Sequence, residues 1–213
     1  MNNISKKLRE HYEKCFVVHG ATPEGVDWGD DQGKLDIRYL QMLKLIKPEY
    51  LNGNNYSLLD VGCGFSGFLS FLLNNGFDVE YTGIDISEKM IDWATENQNA
   101  RANFLVGDIL ESNFEKTFDF VICNGIFTQK LDVEAKAMDS YFTTAVRKMY
   151  DLCEIGVAFN IMTNKVNYYS NNLYYRSPAE VLTWCMDEVT TNIVVDHSYP
   201  LYEYTMYLYK ECE

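Results

Sequence analysis

The sequence predicts an α/β fold with a doubly wound, seven-stranded, mostly parallel sheet, one antiparallel strand and a helical N-terminal lid. Short apolar runs alternate with amphipathic helical segments through most of the chain after residue 56. A glycine-rich loop directly follows the first apolar run, as is typical of a turn from a buried strand into a helix. Two strand-like runs follow each other near the C-terminal end, which indicates an antiparallel hairpin.

The predicted elements follow in a regular order. Five short apolar runs predict parallel strands at 57–61, which is expected to be buried, at 79–85, at 102–110 together with the exit from the strand, at 118–127 and at 156–163. Apolar residues at helical spacing predict the helices between them, and Ser87 and Ser177 carry the clearest N-cap signals. The runs at 190–197 and 201–210 predict the terminal hairpin, with its turn at 198–200. A parallel sheet with helices on both faces follows from this alternation.

The first 50 residues precede the first predicted strand and cannot belong to the sheet. They contain one predicted helix, Leu35 to Ile46, and a stretch rich in Gly and Asp, HGATPEGVDWGDDQG. In this architecture ligands bind at the carboxyl ends of the strands. We therefore expect a lid over those ends at 1–50 and the sheet-bearing domain at 51–213.

Composition excludes several classes of partner. The 213 residues carry 31 Asp+Glu against 18 Lys+Arg, a formal net charge of −13, whereas a nucleic-acid partner requires a basic face. The six cysteines form no C-x-x-C pair, so we expect no metal site. The N-terminus lacks the apolar core of a signal peptide, and no apolar run reaches the roughly 18 residues of a membrane span. We expect a soluble, cytoplasmic protein without a membrane partner; the sequence sets no oligomeric state.

The loop LLDVGCGFSG contains a G-x-G-x-x-G pattern made by Gly62, Gly64 and Gly67. This pattern is typical of dinucleotide sites, where the backbone passes close to a pyrophosphate. Asp60 stands two residues before the first glycine and would repel that pyrophosphate. The loop therefore favours a ligand that brings no phosphate.

Acidic and polar residues also follow the next strands. Asp85 ends the second strand about 20 residues beyond the glycines, where a carboxylate can accept both hydrogens of a ribose diol. S-adenosylmethionine carries an ammonium group that suits Asp60 and a diol that suits Asp85. After the third strand, Asp108 can accept from the adenine amino group and the Ile109 N–H can donate to the ring. Gly62 and Gly64 let the main chain pass against the methionine part, where a Cβ would collide.

At these motifs the sequence resembles the class I S-adenosylmethionine-dependent methyltransferases, which have a Rossmann-like fold. The resemblance rests on LLDVGCGFSG, YTGIDIS, VGDIL and FDFVICNGIF, between Leu58 and Cys153. It implies a methyltransferase domain at 51–213 with S-adenosylmethionine as cofactor. The residues to which it assigns cofactor binding are Asp60, Gly62, Gly64, Asp85, Ile86, Asp108, Ile109 and Asn124. A turn role for Asn124, which precedes Gly125, stays an alternative.

A narrower resemblance points to a small bacterial methyltransferase subgroup with an HG-x₄-GVDW segment. Its signs are HGATPEGVDW near the start, FNIMT after the fifth strand and LYEYT near the end. The subgroup pattern places an arginine on the following helix, here Arg38. A bidentate guanidinium suits the carboxylate of the cofactor, and a solvated helix charge is the alternative.

Two residues of this segment are candidates for proton removal from an acceptor. His19 lies in the Gly-rich stretch expected over the strand ends, and an imidazole takes up protons near neutral pH. Asp27 in the same stretch is the second candidate. The alternative for His19 is a loop hydrogen bond, while His11 in the polar N-terminus is interpreted as a surface residue. Tyr12 and Trp28 either wall the site or pack the lid on the core.

The predicted function is methyl transfer from S-adenosylmethionine to a small molecule. O-methylation of a secondary metabolite or a surface-glycan precursor is the first choice, and N-methylation of a small molecule is the second. No N/D-P-P-Y/F motif follows the fourth strand, which argues against amino groups of nucleic acids. An NAD-dependent oxidoreductase and a catalytically silent binding partner are the alternatives from other classes.

Overall fold

A computed structural model describes residues 3–47, 56–98 and 102–211. Within these ranges one eight-stranded sheet is flanked by six α-helices. The strands are β1 Ser57–Val61, β2 Glu80–Asp85, β3 Asn103–Val106, β4 Phe118–Cys123, β5 Cys153–Thr163, β6 Tyr175–Arg176, β7 Ile193–Asp196 and β8 Glu203–Tyr209. The helices are α1 Asn3–His19, α2 Gln32–Leu43, α3 Gly67–Asn74, α4 Glu88–Asn97, α5 Ala135–Leu152 and α6 Pro178–Glu188, with a short 3-10 helix at Glu24–Val26.

The strand order determines where the chain can bind a ligand. Seven strands lie in the order β3-β2-β1-β4-β5-β8-β7, and β6 pairs with β5. Only β8 is antiparallel to its neighbours, β5 and β7. The chain runs outward from β1 to β3 and in the opposite direction from β4 onward, so the carboxyl ends of β1 and β4 flank a switch point. The predicted doubly wound sheet with its terminal hairpin is confirmed.

Several local boundaries differ from the sequence prediction: β3 and β4 both end four residues early, and β5 begins three residues early. The two-residue strand β6 makes the sheet eight-stranded rather than seven-stranded, and it is too short to leave a periodic signal. Helix α2 begins at Gln32, after the N-cap Asp31, and ends at Leu43, whereas the sequence predicts a helix from Leu35 to Ile46. The carboxylate of Asp31 accepts the Lys34 N–H, which caps the helix one turn earlier than its apolar residues indicate.

Helix α1 is the larger difference, because the sequence predicts no helix there. Leu8, Tyr12 and Phe16 stand four residues apart, and Leu8 and Phe16 are buried. This apolar stripe is narrow, and lysine, arginine and glutamate surround it, so it does not stand out as an amphipathic pattern. The helix is stabilised by the surface on which it packs rather than by its own composition.

The hydrophobic core lies on both faces of the sheet, and alternate side chains of β4 face each of the two clusters. Val121 and Cys123 face the cluster that α5 and α6 complete, whereas Phe120 and Ile122 face the cluster of α2, α3 and α4. All four side chains are buried, as expected for a central parallel strand. Among the described helices none is long and apolar enough to cross a membrane.

A buried ion pair ties α2 to the far side of the sheet. The Arg38 guanidinium donates to Glu203 Oε1, with an Nε–Oε1 distance of 2.8 Å. The other carboxylate oxygen of Glu203 accepts from the Asn160 amide at 2.6 Å, and Asn160 Oδ1 accepts the Gly125 N–H at 2.8 Å. Arg38 also lies 3.6 Å above the ring centroid of Trp28. The network connects the N-terminal segment, β8, β5 and the loop after β4.

Burial acts on both members of this pair. The side chains of Arg38 and Glu203 are 12% and 2% exposed. Desolvation lowers the pKa of Arg38 and raises the pKa of Glu203, while their mutual attraction opposes both shifts. Neither charge is stable at this depth without the other.

Breaking the pair should therefore destabilise the fold strongly. We expect Arg38→Met to lower the free energy of unfolding by about 3–5 kcal/mol, because it leaves a buried carboxylate without its cation. The matched control is Arg147→Met, which removes the exposed Arg147–Glu188 pair and should cost about 0–1 kcal/mol. Urea unfolding followed by circular dichroism measures both. Equal losses in the two variants would contradict the role of the Arg38 pair.

Candidate functional site

A cavity opens at the carboxyl ends of β1, β2 and β4. It is lined by every predicted cofactor-binding residue except Arg38, namely Asp60, Gly62, Gly64, Asp85, Ile86, Asp108, Ile109 and Asn124. The segment before β1 contributes Leu8, Tyr12, Val26 and Trp28 to the same wall. Arg38 lies outside the lining and binds Glu203 instead.

The glycine loop turns directly beneath the cavity. Gly62 and Gly64 have φ angles of 74° and 55°, which side chains with a Cβ rarely adopt. A Cβ on Gly62 would lie 2.6 Å from Ile126 Cδ1, so a side chain there would also displace the Ile126 side chain. The third glycine, Gly67, has another role, since a Cβ on it would collide with the Tyr39 hydroxyl of α2. Two glycines thus shape the loop and one allows close helix packing.

Asp60 is a buried carboxyl at the end of β1, with 2% of its surface exposed. The Tyr81 hydroxyl donates to its Oδ2 at 2.5 Å. Burial raises the pKa of Asp60 to about 7, and the charge of Asp85 adds to this shift, while the Tyr81 hydrogen bond opposes it. At neutral pH this side chain exchanges a proton readily, and a nearby cation would favour its charged form.

Asp85 ends β2 on the other side of the loop. Its Oδ2 accepts the Gly64 N–H at 2.9 Å, and its Oδ1 accepts the Ser87 N–H at 2.8 Å. Burial raises the pKa of Asp85 against the effect of these backbone donors. A carboxylate has about four lone-pair positions, so each oxygen keeps the capacity to accept a hydrogen from a ligand.

The remaining polar residues stand at the ends of β3 and β4. Asp108 Oδ2 accepts from the Ser5 hydroxyl of α1 at 2.5 Å, and its Oδ1 accepts the Leu110 N–H at 3.0 Å. Asn124 Oδ1 is buried and has no hydrogen-bond partner within the described residues. A buried amide oxygen without a donor is costly, and a donor supplied by a ligand in the cavity would satisfy it.

The HG-x₄-GVDW segment folds into a tight turn. Gly20 has a φ angle of 65°, and a Cβ on Gly25 would overlap the Gly20 carbonyl oxygen. The turn presents Trp28 to the loop after β4, where a Cβ on Gly125 would collide with the indole. Asp27, in the left-handed conformation with φ 59°, points toward α1.

The structure separates the two predicted proton acceptors. His19 is exposed at the last residue of α1 and does not line the cavity. Asp27 Oδ2 lies 2.8 Å from His11 Nε2 and accepts from Gln129 Nε2 at 2.6 Å. His11, interpreted from the sequence as a surface residue, is therefore the histidine beside Asp27. If α1 had been predicted, the position of His11 on the same helix as Leu8 and Tyr12 would have indicated that it lies near the site.

A family model described as a methyltransferase domain matches residues 52–203, well over half of the chain. The chain belongs to this methyltransferase family. As a member it uses S-adenosylmethionine, the cofactor expected from the motif order.

Relatives agree with this assignment. A Mycobacterium tuberculosis protein named methyltransferase Rv1506c is 28% identical over 161 residues, covering 73% of this methyltransferase and 93% of the relative. The ubiquinone biosynthesis O-methyltransferase of Rickettsia bellii is 32% identical over 58% of the chain, which spans only 51% of that relative. Magnesium protoporphyrin IX methyltransferase from Synechocystis PCC 6803, crystallised with S-adenosylmethionine, shares the fold with a TM-score of 0.68 at 15% identity and 99% coverage of both chains.

The buried carboxyl of Asp60 should make the free energy of unfolding of the ligand-free methyltransferase depend on pH. Its pKa rises from 3.8 to about 7 on folding, so the folded state holds a proton that the unfolded chain has already released between these values. Stability should therefore fall as pH increases through this window. Asp60→Asn removes this ionisation and should flatten the profile by about 4 kcal/mol, since one pKa unit corresponds to about 1.4 kcal/mol.

Urea unfolding at several pH values between about 4 and 8 measures this effect. Asp92→Asn, an exposed carboxylate on α4, is the matched control and should follow the wild-type profile. Parallel profiles of the wild type and Asp60→Asn would show that Asp60 does not bind a proton in this window.

Proposed function

We propose that this methyltransferase holds S-adenosylmethionine between Asp60, Asp85 and Asp108 and transfers its methyl group to a hydroxyl oxygen of a small molecule. The observation that carries the proposal is the arrangement of these three carboxylates around one cavity, at the ends of β1, β2 and β3. When bound, the cofactor supplies an activated methyl group on a sulfonium. The protein has to bind, orient and exclude water.

The amino-acid end of the cofactor lies at Asp60 in this proposal. Asp60 has a raised pKa because it is buried without a cation, and an ammonium group would restore its charge. Asn124 Oδ1, which lacks a donor, lies in the lining of the same cavity and would accept from the same end. Because Gly62 and Gly64 carry no Cβ, the amino-acid end of the cofactor can approach the loop backbone closely. A pyrophosphate in this place would face Asp60 and Asp85 together, so the NAD alternative is electrostatically disfavoured.

The nucleoside end lies at Asp85 and Asp108. Both oxygens of Asp85 keep free lone pairs toward the cavity, which suits the two ribose hydroxyls. Asp108 accepts from Ser5, and in this proposal the adenine amino group shares or replaces that contact. Ile86 and Ile109 line the cavity beside these acids and provide apolar contacts for the adenine ring.

The acceptor is a small molecule because the N-terminal segment reduces access to the cavity. The proposed lid is the segment before β1, of which the structure describes residues 3–47, and Leu8, Tyr12, Val26 and Trp28 contribute its cavity wall. The net charge of −13 opposes a nucleic-acid acceptor. Oxygen is the proposed nucleophile because the Rickettsia relative that shares 58% of this chain carries the name O-methyltransferase. We also propose that the chain belongs to the narrower subgroup that its sequence resembles, on the basis of its HG-x₄-GVDW segment.

A hydroxyl acceptor needs a group that takes its proton, and the sequence offers His19 and Asp27. Asp27 lies next to Val26 and Trp28 of the cavity wall and is held by His11 and Gln129. His19 stands at the exposed end of α1. The proposal therefore puts Asp27 at the acceptor end of the site and keeps His19 as the competing prediction.

Loss of Asp85 should weaken cofactor binding. We expect Asp85→Ala to reduce the S-adenosylmethionine binding free energy by about 1.5–3 kcal/mol, since hydrogen bonds to a charged group are lost. Titration calorimetry measures it, with circular dichroism to confirm folding because Asp85 also accepts two backbone N–H groups. Asp92→Asn on the exposed face of α4 is the control. Wild-type affinity in a folded Asp85→Ala protein would remove Asp85 from the proposed site.

A further inference from the structure

We infer that His11, oriented by Asp27, is the catalytic residue that takes the proton from the acceptor, and that the acceptor is a neutral alcohol or phenol. The inference rests on the proposed methyl transfer to oxygen and names the base and the substrate class. The observation behind it is a row of four polar side chains joined by hydrogen bonds. His11 comes from α1, Asp27 from the GVDW turn, Gln129 from the loop after β4 and Asn172 from the loop after β5.

The hydrogen bonds in this row orient the imidazole. Asn172 Nδ2 donates to Gln129 Oε1 at 3.0 Å, which directs the Gln129 amide nitrogen toward Asp27 Oδ2. Asp27 thus receives one hydrogen from Gln129 and has the charge to receive a second from His11 Nε2 at 2.8 Å. A proton held on Nε2 leaves Nδ1 with its lone pair, since neutral imidazole has one donor and one acceptor nitrogen.

Nδ1 is the nitrogen available to an acceptor. Within the described residues His11 Nδ1 has no hydrogen-bond partner, whereas Nε2 faces both Asp27 and Cys15. The side chains of His11 and Asp27 are 28% and 33% exposed, so a small molecule can reach them. This is the arrangement in which a carboxylate fixes the tautomer of a histidine base and stabilises its charged form.

Neither His11 nor Asp27 lines the cofactor cavity, but their chain neighbours do. Tyr12, the next residue after His11, lines the cavity, as do Val26 and Trp28 on either side of Asp27. Burial raises the pKa of Tyr12, and the charges of Asp27 and Asp85 both add to that shift. The charges of the proposed ribose ligand and of Asp27 therefore both act on Tyr12. In the proposal, the acceptor hydroxyl binds beside Tyr12, between the cavity and His11.

On α1 the charged residues Lys7, Glu10 and Lys14 stand within one turn of His11 in sequence. The groups in contact with His11 or with its partner Asp27 come from three elements. The turn that packs against α1 presents Asp27, and the loop after β4 presents the neutral Gln129 behind it. On α1 itself Cys15 Sγ lies 3.9 Å from Nε2, and the Tyr12 ring lies edge-on with its centroid 5.2 Å from the imidazole centroid. Asp27 is the anion in direct contact, so it is the group that stabilises an imidazolium.

In the proposed step, the acceptor oxygen forms a bond to the methyl carbon while the methyl–sulfur bond breaks, and the electron pair of that bond stays on sulfur. The hydroxyl proton moves to His11 Nδ1 and gives an imidazolium paired with Asp27. The products are the methyl ether and S-adenosylhomocysteine, and the proton leaves to solvent from the exposed edge of His11.

The first experiment determines the tautomer and needs no acceptor. Long-range ¹H–¹⁵N spectra of the ¹⁵N-histidine protein with S-adenosylhomocysteine, at about pH 8 where an imidazole is mostly neutral, distinguish the two nitrogens. Only three histidines are present, so His11→Asn assigns its signals by loss. We expect a hydrogen on Nε2, and we expect Asp27→Asn to abolish this preference. A hydrogen on Nδ1 in the wild type would overturn the inference.

The second experiment measures methyl transfer from S-adenosylmethionine to catechol and to 4-nitrocatechol at about pH 8. His11→Asn should lower turnover of the un-ionised catechol at least about tenfold and remove the acidic limb of the pH–rate profile. It should affect 4-nitrocatechol little, because that phenol is already ionised, and should leave cofactor affinity within about twofold. Equal loss on both phenols, or no loss, would overturn the inference.

Matched variants separate the alternatives. His197→Asn, an exposed histidine far along the chain, is the control. If His19→Asn rather than His11→Asn loses catechol methylation, the base is His19.

His11, Cys15 and Asp27 also lie close enough to hold a metal ion. Activity that a chelator abolishes and Zn²⁺ restores would replace the proton-transfer role by a metal-ligand role. Absence of S-adenosylmethionine binding in calorimetry would instead refute the proposed function itself.

Discussion

The arrangement of the site depends on two buried carboxyl groups at the ends of neighbouring strands. Asp60 and Asp85 are buried on either side of the glycine loop, and no lysine or arginine of the described residues makes a hydrogen bond or ion pair with them. A fold that only needed stability would place apolar or neutral side chains here. The raised pKa of both groups reflects the energetic strain of this arrangement. The loop geometry, the backbone donors and the Tyr81 hydroxyl all serve to hold negative charge where a positively charged ligand is expected.

The second constraint is the attachment of the N-terminal segment to the sheet. Arg38 reaches Glu203 of β8, and Tyr39 packs against Gly67 at the start of α3. Through Asn160, the same carboxylate of Glu203 is linked to Gly125 in the loop after β4. Residues before β1 are therefore positioned by the strands that also carry the cavity. A substitution at Glu203 would move the turn with Trp28 and the loop with Asn124 together.

The residues that line the cavity at the strand ends could be read from the sequence, whereas the contacts around Asp27 and Arg38 could not. Asp60, Gly62 and Asp85 are readable because each stands at a fixed offset from a strand that the apolar pattern reveals. Asp27 and Gln129 are 102 residues apart, and no local pattern indicates that they meet. Arg38 shows the same limit: its charge suggested a ligand carboxylate, yet its partner is Glu203, 165 residues away. His11 was hidden because the narrow apolar stripe of α1 does not stand out among its charged residues.

Helix α1 touches both halves of the site. Ser5 bonds to Asp108 at the proposed nucleoside end, and His11 meets Asp27 at the proposed acceptor edge, six residues or about 9 Å further along the helix axis. In the proposed site both contacts belong to one helix, so a displacement of α1 at one of them would be transmitted to the other. Occupation of the nucleoside end and of the acceptor edge then becomes thermodynamically linked. By reciprocity, whatever factor the first ligand contributes to the affinity of the second, the second returns to the first.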